Sequence, residues 1–405
     1  MFEKISKEEY ANFLEDNSYN FLQTDEIAEV YRARGAEVLY VCIKEDEIKC
    51  AALVVSWKVF GGYNYEVNFG PVFGKNQFSK KLFIEFASNL QQFAKKNQVL
   101  SLELSPDMNY QLFDNNYHSL YKDDGTIINE MAEIGFTHLG FPIGYDKQKS
   151  VATWQYVKDV SNLTEDSLMK SFSKDGSYSI KKAHSFGITV RNLEYEELSQ
   201  FKELTQSAAE LHNFQDKDLK YYQLFYKTFK SNADFLVTEI DFTIYKEELL
   251  ESIQKLGTKV SKCTTPRKEK QKKEFESQIA SHHKRLNELN QMNGGESGKV
   301  LLAGAIIIYN PSETLYFISG TKEKYRKLYS SYLIQEKALI KTIRNGIPKY
   351  NFYGISGHFD GSDGILNFKK EFNGYIVQKM GTFIYYPNTL KFKAIQYLKQ
   401  ILRRR

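Results

Sequence analysis

Residues 241–297 carry an apolar stripe that only a pair of long helices can use. Tyr245, Leu249, Ile253, Leu256 and Val260 recur at 4-4-3-4 spacing. Phe275, Ile279, His282, Leu286 and Leu289 then recur at 4-3-4-3, the a/d seam of a heptad. Cys263-Thr264-Thr265-Pro266 stands between the two runs and breaks the helix, and Asn293-Gly294-Gly295-Glu296-Ser297-Gly298 ends the second. The pattern predicts an antiparallel coiled-coil hairpin set as an arm into a globular fold. Its tip is basic, with Lys259, Lys262, Arg267, Lys268, Lys270, Lys272 and Lys273. Such a tip is either a solvated helix face or a contact for nucleic-acid phosphate.

The arm interrupts an element order that occurs twice. In the first half, strands are expected over 38–43, 48–60 and 63–69, a helix over 79–97, and a strand over 99–104. The helix places Leu82, Phe83, Phe86, Leu90 and Phe93 on one face. In the second half the same order runs through 234–240, 299–309, 314–319, a helix over 328–345, and 350–355. This reads as an internal duplication of an α/β unit. At 405 residues and 42% hydrophobic, the chain is long enough for two or three domains with real cores. The units are drawn as 1–152 for the first, 153–240 with 298–381 for the second, and 241–297 for the arm. Residues 382–405 are expected to pack back on the first.

Several function classes are excluded on sequence grounds. Cys42, Cys50 and Cys263 are too few for a disulfide framework, and none lies in a CxxC pair that would hold zinc. A reducing, cytosolic compartment fits this usage. The start of the chain does not have the form of a secretory signal, and no apolar run approaches the ~20 residues that span a bilayer. There is no phosphate-binding GxxxxGK[ST], no strand-linked GxGxxG and no GxSxG elbow. The histidines are scattered, and none forms a local triad or metal spacing. The net charge of +5 permits an anionic partner without demanding one.

Two segments stand out for chemistry. Ser171 to Ala183 is a polar, basic start to a helix, most simply a solvated N-terminus. Tyr350-Asn351-Phe352-Tyr353-Gly354-Ile355-Ser356-Gly357 runs a strand into glycine-rich backbone, followed by Asn367-Phe368-Lys369-Lys370-Glu371-Phe372-Asn373-Gly374. Glycine lets backbone approach a ligand closely, and a lysine among aromatics puts positive charge in a half-dry cleft.

These residues resemble the C-terminal signature of the FemABX aminoacyltransferases, the FemA/FemB- and MurM/MurN-like enzymes that form peptidoglycan bridges. Val377-Gln378-Lys379-Met380-Gly381 extends the likeness. Ile180 to Val190 resembles the family's IRKAxxxGVxV segment, Phe214 to Tyr222 its FxDRxxxYY segment, and Gly70-Pro71-Val72 its RGPV turn. The coiled-coil arm also sits where FemA-like members carry theirs. The likeness covers essentially the whole chain.

The resemblance implies an α/β (α+β) fold of two tandem acetyltransferase-like (GNAT-like) domains plus the helical arm. It implies transfer of a small amino acid, Ala, Ser or Gly, from its tRNA to an amine of a lipid-linked peptidoglycan precursor (lipid II). That amine belongs to the stem-peptide lysine or to a residue already on it. Aminoacyl-tRNA is then a co-substrate, with no cofactor, and the protein works in the cytoplasm, in peripheral contact with the inner face of the membrane. Carried over motif by motif, Phe368 and Lys369 stand near the tRNA ester, where Lys369 offsets phosphate or oxyanion charge. Lys217 stands where the family has an arginine for precursor phosphate, with Tyr221 on the same helix face. Tyr316 is placed to hydrogen-bond in the cleft, and Asp107 is the candidate base or amine anchor. The family's N-terminal Trp and Lys are missing from Gln23 to Arg32. Arg32, or else Arg34, is expected to replace that lysine. Lysine for arginine at 217 forgoes the planar two-pronged contact.

Two rivals remain at this level: an acyl-CoA-type N-acyltransferase on the same fold, and a non-catalytic RNA- or partner-binding adaptor using the basic arm. The carried amino acid, the bridge position and the oligomeric state are left open.

Overall fold

The computed structural model describes residues 1–145, 151–212, 215–293 and 297–403. Gly294–Glu296 in the expected arm terminus and Phe214 in the FxDRxxxYY-like segment lie outside the described residues. The fold is mixed α/β, built on two large sheets. The first runs, edge to edge, Phe2–Ile5, Glu37–Lys44, Ile48–Val59, Gly62–Asn68, Val99–Ser105, Phe383–Tyr385 and Thr137–His138, with Val72–Phe73 paired off its side. The second runs Thr189–Asn192, Ala233–Asp241, Lys299–Tyr309, Thr314–Thr321, Lys349–Gly354, Trp154–Asp159, Tyr375–Lys379, Asn109–Phe113 and Ser119–Lys122.

The duplicated order is visible in the pairing. In the first unit, Ile48–Val59 and Gly62–Asn68 form a hairpin. The chain then crosses through the helix Lys80–Lys96 and returns as Val99–Ser105, parallel to Gly62–Asn68. Ser79 caps that helix, its side chain accepting from the Leu82 N–H. Phe83, Phe86 and Leu90 are buried against Val41, Val54, Leu102 and Leu104. The second unit repeats this with Lys299–Tyr309, Thr314–Thr321, the helix Ser330–Arg344 and Lys349–Gly354. The copies differ in their parallel seam. Six residue pairs, from Tyr63↔Val99 to Asn68↔Ser105, hold the first closed. Only Thr314↔Tyr350 and Leu315↔Asn351 hold the second, and beyond them the strands part. The first unit therefore has a closed sheet and the second an open wedge.

The sheets exchange strands. Asn109–Phe113 and Ser119–Lys122, from within 1–152, pair into the second sheet, while Phe383–Tyr385 pairs into the first beside Val99–Ser105. The two sheets therefore do not divide at a single point of the chain. A shared apolar core joins them: Phe21 meets the rings of Phe229 and Phe317, and Ile27 and Tyr31 pack in the same cluster as Tyr221 and Phe225. Burial of such surface stabilises the junction by about 25 cal/mol per Å².

The arm is two packed helices, Phe242–Ser261 and Glu269–Asn293. The heptad positions read from the sequence are its less exposed stripe, with Tyr245, Leu249, Leu256, Leu286 and Leu289 buried. Tyr245, Leu249, Leu286 and Leu289 belong to the core of the second unit, so the base of the arm is part of the globule.

Candidate active site

Lys369 lies at the end of the wedge. Next to last in the strand Lys349–Gly354 is Tyr353, whose φ of +63° is a left-handed conformation that a bulky residue adopts only under constraint. The chain returns as the helix Gly364–Lys370, capped by Asp363, which accepts from the Ile365 and Leu366 N–H groups and also from Ser356 N–H at 2.9 Å. This cap fixes the loop between strand and helix and sets Lys369 in the last turn. Lys369 is only 4% exposed. Its ammonium donates to the Gly354 carbonyl at 2.6 Å and the Tyr353 carbonyl at 3.3 Å. Burial pulls its pKa down to about 7, against a smaller opposing pull from Asp363. Phe368, half-buried, packs edge-on against Tyr332 at 4.8 Å and Phe372 at 5.5 Å. Phe368 thus supports the helix that presents the lysine. On the other wall of the wedge, burial pushes the Tyr316 phenol up to about 12, offset by hydrogen bonds with Ser319 and Gln335.

Two unpaired cations share one aromatic ring nearby. Asp218 caps the helix Leu219–Phe229, and Tyr221 in its first turn is buried. The Lys217 ammonium lies 5.6 Å and the Arg34 guanidinium 5.5 Å from the Tyr221 ring centre. Neither cation has an acidic partner among the described residues. The acids flanking Lys217 are already engaged: Asp216 takes Lys202 at 2.6 Å, Thr205 at 2.8 Å and the Tyr222 hydroxyl at 2.6 Å, and Asp218 takes the Tyr221 N–H. Loss of solvent, then the charge of Arg34, lowers the Lys217 pKa. Two cations held together without a counter-ion form a site for an anion.

The geometry places Arg32 and Arg34 in different surroundings. It sits in the last turn of the helix Asp25–Ala33, bonded to Glu29 at 2.8 Å and to the Tyr40 hydroxyl at 3.0 Å, with Asp25 at 3.8 Å. That network satisfies it within the first unit. Arg34, two residues on and past the helix end, is the arginine beside Lys217 and Tyr221.

Asp107 is apart from Lys369. It pairs with Lys379 at 2.6 Å and lines a cleft of about 970 Å³ whose walls include Tyr19, Phe69, Phe78, Asn109, Tyr121 and Met380. Between Asp107 and the wedge lies Glu313. Its two carboxylate oxygens accept from the Asn20 and Asn351 side-chain amides, each at 2.9 Å. Burial, and then the charge of Asp107, raises its pKa. No spacing in the sequence announces Glu313, because Asn20 and Asn351 reach it from opposite ends of the chain. Tyr353 links these groups. Its carbonyl holds Lys369, its N–H donates to the Asn351 side chain at 2.8 Å, and its phenol feels the charge of Glu313 and lies near Tyr31 and Tyr221. Glu313, the cation pair at Tyr221 and Lys369 are thus linked through one strand end. Among the described residues no group of three or more His, Cys, Asp or Glu side chains gathers as a metal site.

Comparison with known proteins agrees with this architecture. A family model described as the FemAB family matches residues 5–400. The chain is 28% identical over 417 aligned residues to aminoacyltransferase FemA of Staphylococcus epidermidis, covering 99% of both proteins. It is 27% identical to aminoacyltransferase FemA of Staphylococcus aureus strain N315, covering 99% of this chain and 98% of that protein. Among solved structures it is similar to FemX, with a TM-score of 0.75 at 19% identity, over 98% of this chain and 99% of that one.

Proposed function

The chain belongs to the FemAB family and is an aminoacyltransferase, and from this we propose that it moves a small amino acid, Ala, Ser or Gly, from its tRNA ester to an amine of a lipid-linked peptidoglycan precursor. The acceptor is the stem-peptide lysine or a residue already joined to it, and the product is an interpeptide bridge. The amine nitrogen attacks the ester carbonyl carbon, the C–N bond forms, and the C–O bond to the terminal ribose breaks. One amine proton leaves, and one proton returns to the ribose oxygen. Because the ester is already activated, holding the two reactants together supplies much of the rate.

The observation that carries this reading is Lys369, buried where two parallel strands part. An ammonium has three donors. Two are held by the Tyr353 and Gly354 carbonyls, and the third is available for the oxyanion of the tetrahedral intermediate. Arg34 and Lys217 take a phosphate of the precursor, and the 970 Å³ cleft beside Asp107 gives its peptide a place to lie. Tyr316 lines the wedge. Aminoacyl-tRNA is the co-substrate and no cofactor is required. The lipid on the acceptor brings the protein to the cytoplasmic membrane face. No helix among the described residues is long and apolar enough to cross a membrane.

The test is transfer from a panel of charged tRNAs to unbranched and singly branched lipid precursor, scored by product mass. One added residue, dependent on charged tRNA, is expected. Transfer from acetyl-CoA, or none from any charged tRNA, would sink the reading.

The arm supports the tRNA half of the proposal. Lys272 and Lys273 make long ion pairs with Glu276 and Glu269, and Lys259 lies over the Phe275 ring. Lys262, Arg267, Lys268 and Lys270 have no acidic partner among the described residues. Because the base of the arm is core, the informative deletion replaces residues 252–283 with a short Gly/Ser loop and keeps Leu249 and Leu286. We expect the globule to stay folded and full-length tRNA to bind more weakly. The slope of log affinity against log salt should flatten by about 0.7–0.9 per lost phosphate contact. Activity on a minimal acceptor-stem mimic should persist. An unchanged salt slope would remove the arm from tRNA binding.

A further inference from the structure

The helix Thr389–Arg403 has two apolar faces, and the fold uses only one. The Phe392 ring lies tilted against that of Tyr386 at 4.3 Å, and Ile395 is buried against Gly61. Leu390, Ala394, Tyr397 and Leu398 recur at i, i+4, i+7 and i+8, the spacing of a second continuous stripe. This stripe faces solvent: Leu390 is 82%, Tyr397 66% and Leu398 47% exposed. Phe60, 60% exposed, stands in the turn next to Gly61, on which the helix rests. Large side chains exposed in a row are not explained by folding, and such rows mark a surface that docks onto something.

Charge identifies the partner. Lys391 and Lys393 flank the stripe and Lys399 lies on the same helix, while residues 389–405 contain no Asp or Glu. Lys391 and Lys393 are exposed, and none of the three lysines has an acidic partner among the described residues. Leucine and tyrosine on one face with lysines at its borders is the composition of a helix that lies in a membrane interface. Its apolar side chains sink to the acyl boundary and its lysines meet anionic headgroups. Tyrosine suits that depth because its ring is apolar and its hydroxyl stays wet. A protein partner of ordinary composition would not need every charge on the helix to have one sign.

We propose that the solvent-facing stripe of the helix Thr389–Arg403, with Phe60, is the surface by which this protein docks onto an anionic phospholipid bilayer. The proposal names the contact that a lipid-linked acceptor requires and in that respect deepens the functional reading. The binding itself is tested without acceptor or tRNA.

The experiment is co-sedimentation of the full chain with vesicles of phosphatidylcholine alone and of phosphatidylcholine mixed with phosphatidylglycerol. Binding to the mixed vesicles that weakens with salt is expected, with little binding to the neutral ones. Lys391→Glu/Lys393→Glu should weaken binding by at least fivefold per lysine lost. Leu390→Glu/Tyr397→Glu should remove it. All four positions are exposed, and an unchanged melting temperature would show that each variant is folded. The Leu390→Glu/Tyr397→Glu protein should transfer normally to a water-soluble acceptor and poorly to acceptor embedded in vesicles. The proposal is overturned if wild type ignores anionic vesicles, or if both double variants bind as well as wild type. It is also overturned if sedimentation without vesicles shows that Leu390→Glu/Tyr397→Glu only splits a dimer. Vesicle binding without any transfer activity would leave this inference standing and remove the enzymatic one.

Discussion

Lys369→Met lowers kcat about 100-fold or more, with both KM values little changed, when transfer is followed at saturating substrates. Methionine keeps most of the lysine's length and apolar stem but donates nothing, so the oxyanion loses a preorganised donor in a dry site. Losses of that kind cost about 10²–10³ in rate. The pH profile separates this role from a merely structural one. With a pKa of about 7, Lys369 passes from three donors to two across neutral pH. The two that remain are those the Tyr353 and Gly354 carbonyls use. In wild type, the acceptor amine gains free base as pH rises while Lys369 loses its spare donor, so the rate levels off above about pH 7. In Lys369→Met the rate continues to rise to the amine's own pKa. Near-normal turnover with an unchanged profile would make Lys369 a tie between helix and strand and nothing more.

The same substitution has a stability signature with a definite sign. The folded pKa is depressed from the ordinary lysine value near 10.4. Below about pH 7 both folded and unfolded chains carry the charge, and the folded state bears the full cost of burying it. Between about 7 and 10 the folded state releases the proton while the unfolded state keeps it, so wild-type stability rises with pH. The variant has no such group. Its melting temperature relative to wild type should therefore be highest below pH 7 and fall as pH increases.

Arg34→Ala and Lys217→Ala each raise the acceptor KM by about 10- to 100-fold with kcat nearly intact. Charge-assisted bonds of about 1.5–3 kcal/mol that exist equally in ground and transition states act on binding alone. Arg32→Ala is the control. Its guanidinium is held by Glu29 and Tyr40, so the acceptor KM should stay within about twofold, the range of an exposed ion pair. A fall in kcat with acceptor binding intact, in either Arg34→Ala or Lys217→Ala, would place that residue in the chemistry.

The outcome for these residues shows where sequence reading succeeds and where it stops. The arm, the helix Lys80–Lys96 and the duplicated hairpin–helix–strand order were legible because each is a local period, 3.5, 3.6 or 2, written by neighbouring residues. Lys369 was legible as a candidate because Gly354, Phe368 and Lys369 lie close together along the chain. That it is buried, with two of its protons committed, was not. Arg32 and Arg34 could not be separated by register, because two residues on a helix end differ by about 200° in direction, and the choice depends on which neighbour meets them.

What the sequence by itself determined is therefore the set of elements, their order and the positions of the apolar seams, since these follow from propensity and periodicity over a few residues. The tertiary structure alone decided that the first parallel seam closes over six pairs and the second opens after two, that the sheets exchange strands, and that Asn20, Asp107, Glu313 and Asn351 converge. Burial and charge proximity are sums over residues distant in the chain. The depressed pKa of Lys369 and the raised pKa of Glu313 exist only once packing has removed solvent from them, and the meeting of Arg34 with Lys217 around one ring depends on which elements the fold brings together.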